Sequence, residues 1–187
     1  MSKSDTRDAQ QQRAYHLLVA GQYREARELF EQLFDGHNPR LAAYLGDIYS
    51  MEESGEYDRM LAFAHYKVAA AGGHAHSQHA LAGMLLEEGQ EDEAIKWYKC
   101  ASEQGRAECS YLLASLLKRR GDSQASDFFL SRAADQGHVL AIQHLAVRHI
   151  VGRYGFRKIG TGLRMYFKNV RPLMRYARDN AGRHRPV

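Results

Sequence analysis

The chain has 187 residues, 44% hydrophobic and 26% charged, the size and balance of one domain or one short repeat array with a core of its own. Two cysteines exclude a disulfide-stapled scaffold. The longest apolar runs, such as Leu17-Leu18-Val19-Ala20, fall far short of the roughly 20 residues a membrane span needs. Lys+Arg is 26 against Asp+Glu 22, a formal +4. That small sum hides an asymmetry, because the segment from Arg153 to Val187 holds 10 Lys+Arg and a single acidic residue, Asp179. A basic end on an acidic body points to an anionic partner for that end, or to a solvated surface or a tail that folds back on the acidic body. The first residues, MSKSDTRDAQQQR, lack the apolar core of a signal peptide. The expectation is a soluble cytoplasmic protein, with a peripheral place at a membrane as the variant.

Residues 1–8 are expected to form a flexible N-terminus. From there the chain reads as helices in pairs. Four helix-ending glycines stand out, Gly36, Gly73, Gly105 and Gly137, spaced 37, 32 and 32. Ala69, Ala101 and Ala133 lie 32 apart, as do Leu81, Leu113 and Leu145, each of these leucines followed by alanine. The first helix of a unit carries Leu41, Ala42, Leu45, Ile48 and Tyr49 in one copy and Ala80, Leu81, Met84 and Leu85 in the next. The second carries Ala94, Ile95, Trp97, Tyr98 and Ala101. Both are period-3.6 patterns without strand alternation. The large pairs His65-Tyr66, Trp97-Tyr98 and Phe129-Leu130 recur at the same place, and Trp97 is expected in the core between layers. One hairpin cannot bury its apolar face alone, but stacked hairpins can. Leu45 to Tyr66 and Leu145 to Tyr166 span 21 residues, whereas Leu81 to Tyr98 and Leu113 to Leu130 span 17. The middle units are thus shorter by about one helical turn. Past Ile159, Arg164, Lys168, Arg171, Arg175 and Arg178 are spaced 4, 3, 4 and 3, one basic face of an amphipathic helix. Leu163, Tyr166, Phe167, Val170 and Met174 line its other side, and Pro172 is expected to kink it.

Leu45-Gly46-x-x-Tyr49, then Ala62-x-x-His65-Tyr66-x-x-Ala69-Ala70 and Gly73-His74, resembles a Sel1-like repeat. So does Ala94-x-x-Trp97-Tyr98-Lys99-x-Ala101 with Glu103-Gln104-Gly105, and more weakly the stretch from Ser126 to His138. The opening Gly21-x-Tyr23-x-x-Ala26-x-x-x-Phe30 resembles the related tetratricopeptide unit. The resemblance implies an all-α, right-handed solenoid of about five antiparallel hairpins over residues 9–170. A basic extension, residues 171–187, follows. It further implies a concave groove lined by the first helices. That places Tyr15, Arg40, Asp47, His76, His79, Tyr111, Lys118 and Gln143 on the groove, with Ala43, Gly83, Glu108, Ser115 and Val147 beside them. Such arrays serve signalling, envelope, secretion and quality-control systems as adaptors, so the resemblance implies a non-catalytic scaffold for a partner protein or peptide. The alternative is a peripheral membrane regulator anchored by the basic helix on an anionic surface.

Enzyme chemistry finds little to stand on. There is no Gly-rich phosphate loop, nucleophile elbow or HExxH motif. His74-x-His76-x-x-His79 is the one dense histidine group, but His74 belongs to a Gly-His turn that recurs at His37 and His138. No metal, cofactor or catalytic residue is expected, and no nucleic-acid module is visible. Cys100 and Cys109 read as small buried hydrophobes.

Overall fold

The computed structural model describes residues 3–150 and, further on, residues 160, 161, 163, 164, 167 and 168, which are helical. From residue 3 to 150 there are nine α-helices, one single-turn 3-10 helix (Glu52–Ser54) and no strand. The helices are α1 (Lys3–Val19), α2 (Tyr23–Leu33), α3 (Pro39–Ser50), α4 (Arg59–Ala71), α5 (Ala75–Glu87), α6 (Glu91–Glu103), α7 (Ala107–Arg119), α8 (Ser123–Asp135) and α9 (Val139–Ile150). They fall into two compact units, Met1–Gln104 and Gly105–Val187. The first unit holds the hairpins α1/α2, α3/α4 and α5/α6; in the second, α7 pairs with α8 and α9 packs on α8. Helix α1 starts inside the stretch expected as a flexible N-terminus. Its Arg7 donates to the Leu33 carbonyl at 2.9 Å and to Asp35 at 3.1 Å, which ties this helix to the end of α2.

The 32-residue repeat is twice a 16-residue one. From α2 to α9 the helix starts are spaced 16, 20, 16, 16, 16, 16 and 16. Gly73, Gly89, Gly105, Gly121 and Gly137 follow the same interval, and all five have φ between +76° and +91°. At Gly73 the closing hydrogen bonds run from His74 N–H to Ala69 O and from Gly73 N–H to Ala70 O, both 3.0 Å. This paired closure satisfies the last carbonyls of a helix and needs a left-handed residue. The next residue then opens the following helix. The His74 ring nitrogen accepts from Ser77 N–H at 3.4 Å, and that of His138 accepts from Ala141 N–H at 3.3 Å. These histidines are helix caps, which is why they recur.

The single 20-residue step lies between α3 and α4. Residues 51–58 connect them, against three residues, 88–90, between α5 and α6 and three, 120–122, between α7 and α8. The connector is thus five residues longer and α3 one residue shorter than α5 or α7, which together give the four-residue difference, and the connector is closed by Asp58 N–H on Tyr49 O at 2.9 Å. The matching long unit expected at 145–166 lies largely outside the described residues.

Small residues sit wherever helices approach. Ala62, Ala69, Ala94, Ala101 and Ala133 are buried. Of each large pair, the second member is the core residue: Tyr66, Tyr98 and Leu130 are buried, while His65, Trp97 and Phe129 are half-buried. Trp97 is thus at the edge of its layer, one helical position (about 100°) from the place the sequence reading gave it. Polar ties recur too. Gln104 donates to Gln78 Oε1 at 2.8 Å within the first unit, and Ser110 donates to Gln136 Oε1 at 2.9 Å within the second. Each joins the exit turn of a hairpin to the start of its first helix.

Candidate functional site

Helix α3 is buried nearly all round, at Leu41, Ala42, Ala43, Leu45, Gly46, Ile48 and Tyr49. Its outward row is therefore Arg40, Tyr44, Asp47 and Ser50, at helical spacing. Ala43, expected on the groove, instead belongs to a core cluster with Ala42 and Ala69. Tyr44 holds the outward place.

This row meets the first helices on either side within the first unit. The Tyr15 ring of α1 stands 5.6 Å from Tyr44, which stacks on Phe30 at 5.0 Å. On the other side, His76 Nε2 of α5 lies 3.2 Å from Asp47 Oδ1. The same carboxylate oxygen accepts from the Tyr66 hydroxyl at 2.9 Å, and Ser50 Oγ is 2.9 Å from that hydroxyl. Burial, with the neighbouring Asp47 charge, holds the Tyr66 phenol far above its ordinary range. It stays protonated and serves as a donor that fixes Asp47. Of the expected residues, the structure joins Asp47 to His76 and Tyr15 to the same row through Tyr44. Arg40 is exposed on α3, and His79 is half-buried with its ring 5.9 Å from Tyr98.

In the second unit Tyr111 is half-buried and stacks on His138 at 4.5 Å, with His144 at 5.6 Å. Lys118 is exposed in the last turn of α7, and Gln143 is half-buried on α9. Arg148 of α9 pairs with Asp127 of α8. Of the basic face, Arg164 and Lys168 are exposed, as are Leu163 and Phe167. Arg171, Arg175, Arg178 and Pro172 lie outside the described residues.

Sequence reading missed a polar cluster behind α3. Arg27 donates to Glu31 at 2.7 Å and lies 2.9 Å from Glu56 of the long loop, while the Tyr49 hydroxyl donates to Glu31. Burial, then the Glu31 charge, pushes the Tyr49 phenol up to about 12. His65 lies against both Tyr49 (5.7 Å, rings 6° from parallel) and Phe34 (5.4 Å), and burial lowers its pKa. The cluster pins the long loop to α2. The signal for it was the four-residue insertion itself.

Among the described residues no group of three or more His, Cys, Asp and Glu is placed to hold a metal ion. No helix there is long and apolar enough to cross a membrane. Cys100 and Cys109 are free thiols, and burial pushes that of Cys109 up.

No protein-family model matches the chain, and no curated protein does. Solved structures do. A Sel1 repeat protein from Oxalobacter formigenes matches with TM-score 0.72 and 24% identity over 86% of this chain and 69% of that one. A protective antigen of uropathogenic Escherichia coli strains, displaying an SLR fold, matches with TM-score 0.60 and 24% identity. That match covers 75% of this chain and 32% of the antigen. A chain of nearly identical TPR-like repeats from Podosopora anserina matches with TM-score 0.52 and 19% identity, over 91% of this chain and 99% of that one. The fold is thus the all-α solenoid of Sel1-like and TPR-like repeat proteins.

Proposed function

We propose that this chain, with a fold that generally serves as a protein-interaction scaffold, is a non-catalytic adaptor that binds a partner protein or peptide. The observation that carries the reading is the row of side chains linking three first helices of the first unit: Tyr15 to Tyr44, and Asp47 to His76. With exposed Arg40 they offer mixed aromatic and charged contacts, the composition of a protein-binding surface. The buried Tyr66 hydroxyl holds Asp47 in place, so the row is preorganised and loses little side-chain freedom on binding. Tyr111, Lys118 and Gln143 extend the proposal to the second unit. The basic segment around Arg164 and Lys168 is a second docking element for an acidic protein surface.

Affinity capture from the native host tests this, with the wild-type chain and two full-length variants. Arg40→Glu/His76→Glu changes the first-helix row, and Arg164→Glu/Lys168→Glu changes the basic segment. Loss of a partner with either variant supports the element concerned. Unchanged capture by both contradicts the reading.

The second reading is a cytoplasmic protein held peripherally at a membrane. It rests on Leu163 and Phe167 being exposed beside Arg164 and Lys168. That reading predicts flotation with anionic vesicles at low salt, abolished by Arg164→Glu/Lys168→Glu. Failure of the wild-type chain to float ends it.

A further inference from the structure

The two compact units carry opposite charge. Met1–Gln104 holds 10 Lys+Arg and 17 Asp+Glu, a net −7, and Gly105–Val187 holds 16 and 5, a net +11. The acidic charge of the first unit is concentrated. Segments 52–58 and 87–93 contain nine carboxylates and no Lys or Arg. The fold brings these two segments to one edge, because Arg59, next to the first, pairs with Glu87 of the second at 2.7 Å. The same edge exposes three large apolar side chains, Tyr57, Met60 and Leu61, with Met60 83% exposed.

The complement is on the same chain. Leu163, Arg164, Phe167 and Lys168 are exposed on a helical segment at i, i+1, i+4 and i+5, two apolar groups beside two cations. An apolar anchor within a rim of opposite charges is how protein interfaces gain affinity and orientation together.

We propose that the acidic, apolar edge at Tyr57, Met60 and Leu61 docks the basic segment of a second copy of this chain. Charge complementarity selects that occupant, since each copy supplies one acidic edge and one basic segment. The interface is heterologous, so copies add head to tail, as an open chain or a closed ring. Opposite net charges of −7 and +11 steer the encounter and make it salt-sensitive. The inference rests on the docking role given above to the basic segment and names its partner.

Sedimentation of the purified full-length chain tests it. At about 10 mM salt, where the screening length is about 30 Å, mass rises with concentration past the dimer. At about 1 M salt, where that length is about 3 Å, the chain is a monomer. Two full-length variants then separate the halves of the interface. Glu52→Lys/Glu53→Lys/Glu88→Lys removes the acidic edge, and Arg164→Glu/Lys168→Glu removes the basic element. All five positions are exposed, and circular dichroism checks that both variants fold. Each alone is a monomer at low salt, but their mixture forms a 1:1 complex that stops at two copies. A wild type that stays monomeric at every salt and concentration overturns the inference, as does a mixture without the complex. If the wild type is monomeric yet Arg164→Glu/Lys168→Glu loses a host protein on capture, the docking role stands and its assignment to a second copy falls.

Discussion

A Cβ atom added at Gly46 would stand 2.6 Å from Cδ1 of Tyr66, and the ring leaves no room for it. Helices α3 and α4 therefore approach as closely as they do because residue 46 has no side chain. The Tyr66 ring lies across that glycine and its hydroxyl reaches Asp47. Gly46→Ala forces the ring aside and is expected to cost about 1–3 kcal/mol, the usual range for overpacking. Urea denaturation measures it. The same substitution should weaken any binding that depends on Asp47, since the donor that fixes the carboxylate moves.

Gly105 presents the opposite case. Its φ is +91°, and a Cβ there meets nothing within 4 Å. Any cost of substitution is then conformational and not steric. Gly105→Val is expected to destabilise by at least about 1–2 kcal/mol, and Gly105→Asn by less, because asparagine tolerates the left-handed region. Equal losses in thermal unfolding would contradict this account.

The pair Trp97 and Tyr98 fixes the phase of the repeat. Tyr98 is 3% exposed, whereas Trp97 is only half-buried. Tyr98→Ala is expected to cost about 3–5 kcal/mol and Trp97→Ala distinctly less. The larger residue should give the smaller loss. The reverse order in equilibrium unfolding would place Trp97 in the core after all.

His65 supplies a pH dependence. Its pKa is lowered by burial against Tyr49 and Phe34, although the Glu31 charge opposes this. The folded state therefore holds the neutral ring more firmly than the unfolded chain does. Its contribution is whole above the unfolded histidine value of about 6.5 and is lost as pH falls from there through the lower folded value. His65→Phe keeps the ring contacts and removes the titration. The stability difference between wild type and His65→Phe should change over that window and be flat above it. A difference independent of pH would contradict this assignment.

The repeat was legible because helix-ending glycines and small helix-contact residues are local in sequence. Gly73, Gly105 and Gly137 stood out by a 32-residue period. Gly89 and Gly121 escaped because they sit half a period away, between glutamate or arginine and a polar residue. Trp97 was misplaced because a large aromatic at the right period does not say which of two adjacent positions faces inward. Ala43 was misplaced for a related reason: a helix buried on most of its circumference leaves a row too narrow to read from composition. Asp47 and His76 were readable as members of a surface, but their hydrogen bond was not, since it joins residues 29 apart. The Arg27, Glu31, Tyr49, Glu56 and His65 cluster assembles groups from two helices, a loop and a third helix. Its one mark in the sequence is the four-residue insertion that lengthens the loop carrying Glu56.

Amide hydrogen exchange on the full-length chain, alone and with a captured partner, tests the interaction account most directly. Binding through the first-helix row predicts added protection in Pro39–Ser50 and Ala75–Glu87, lost with Arg40→Glu/His76→Glu. Protection confined to the second helices, Arg59–Ala71 and Glu91–Glu103, would contradict it.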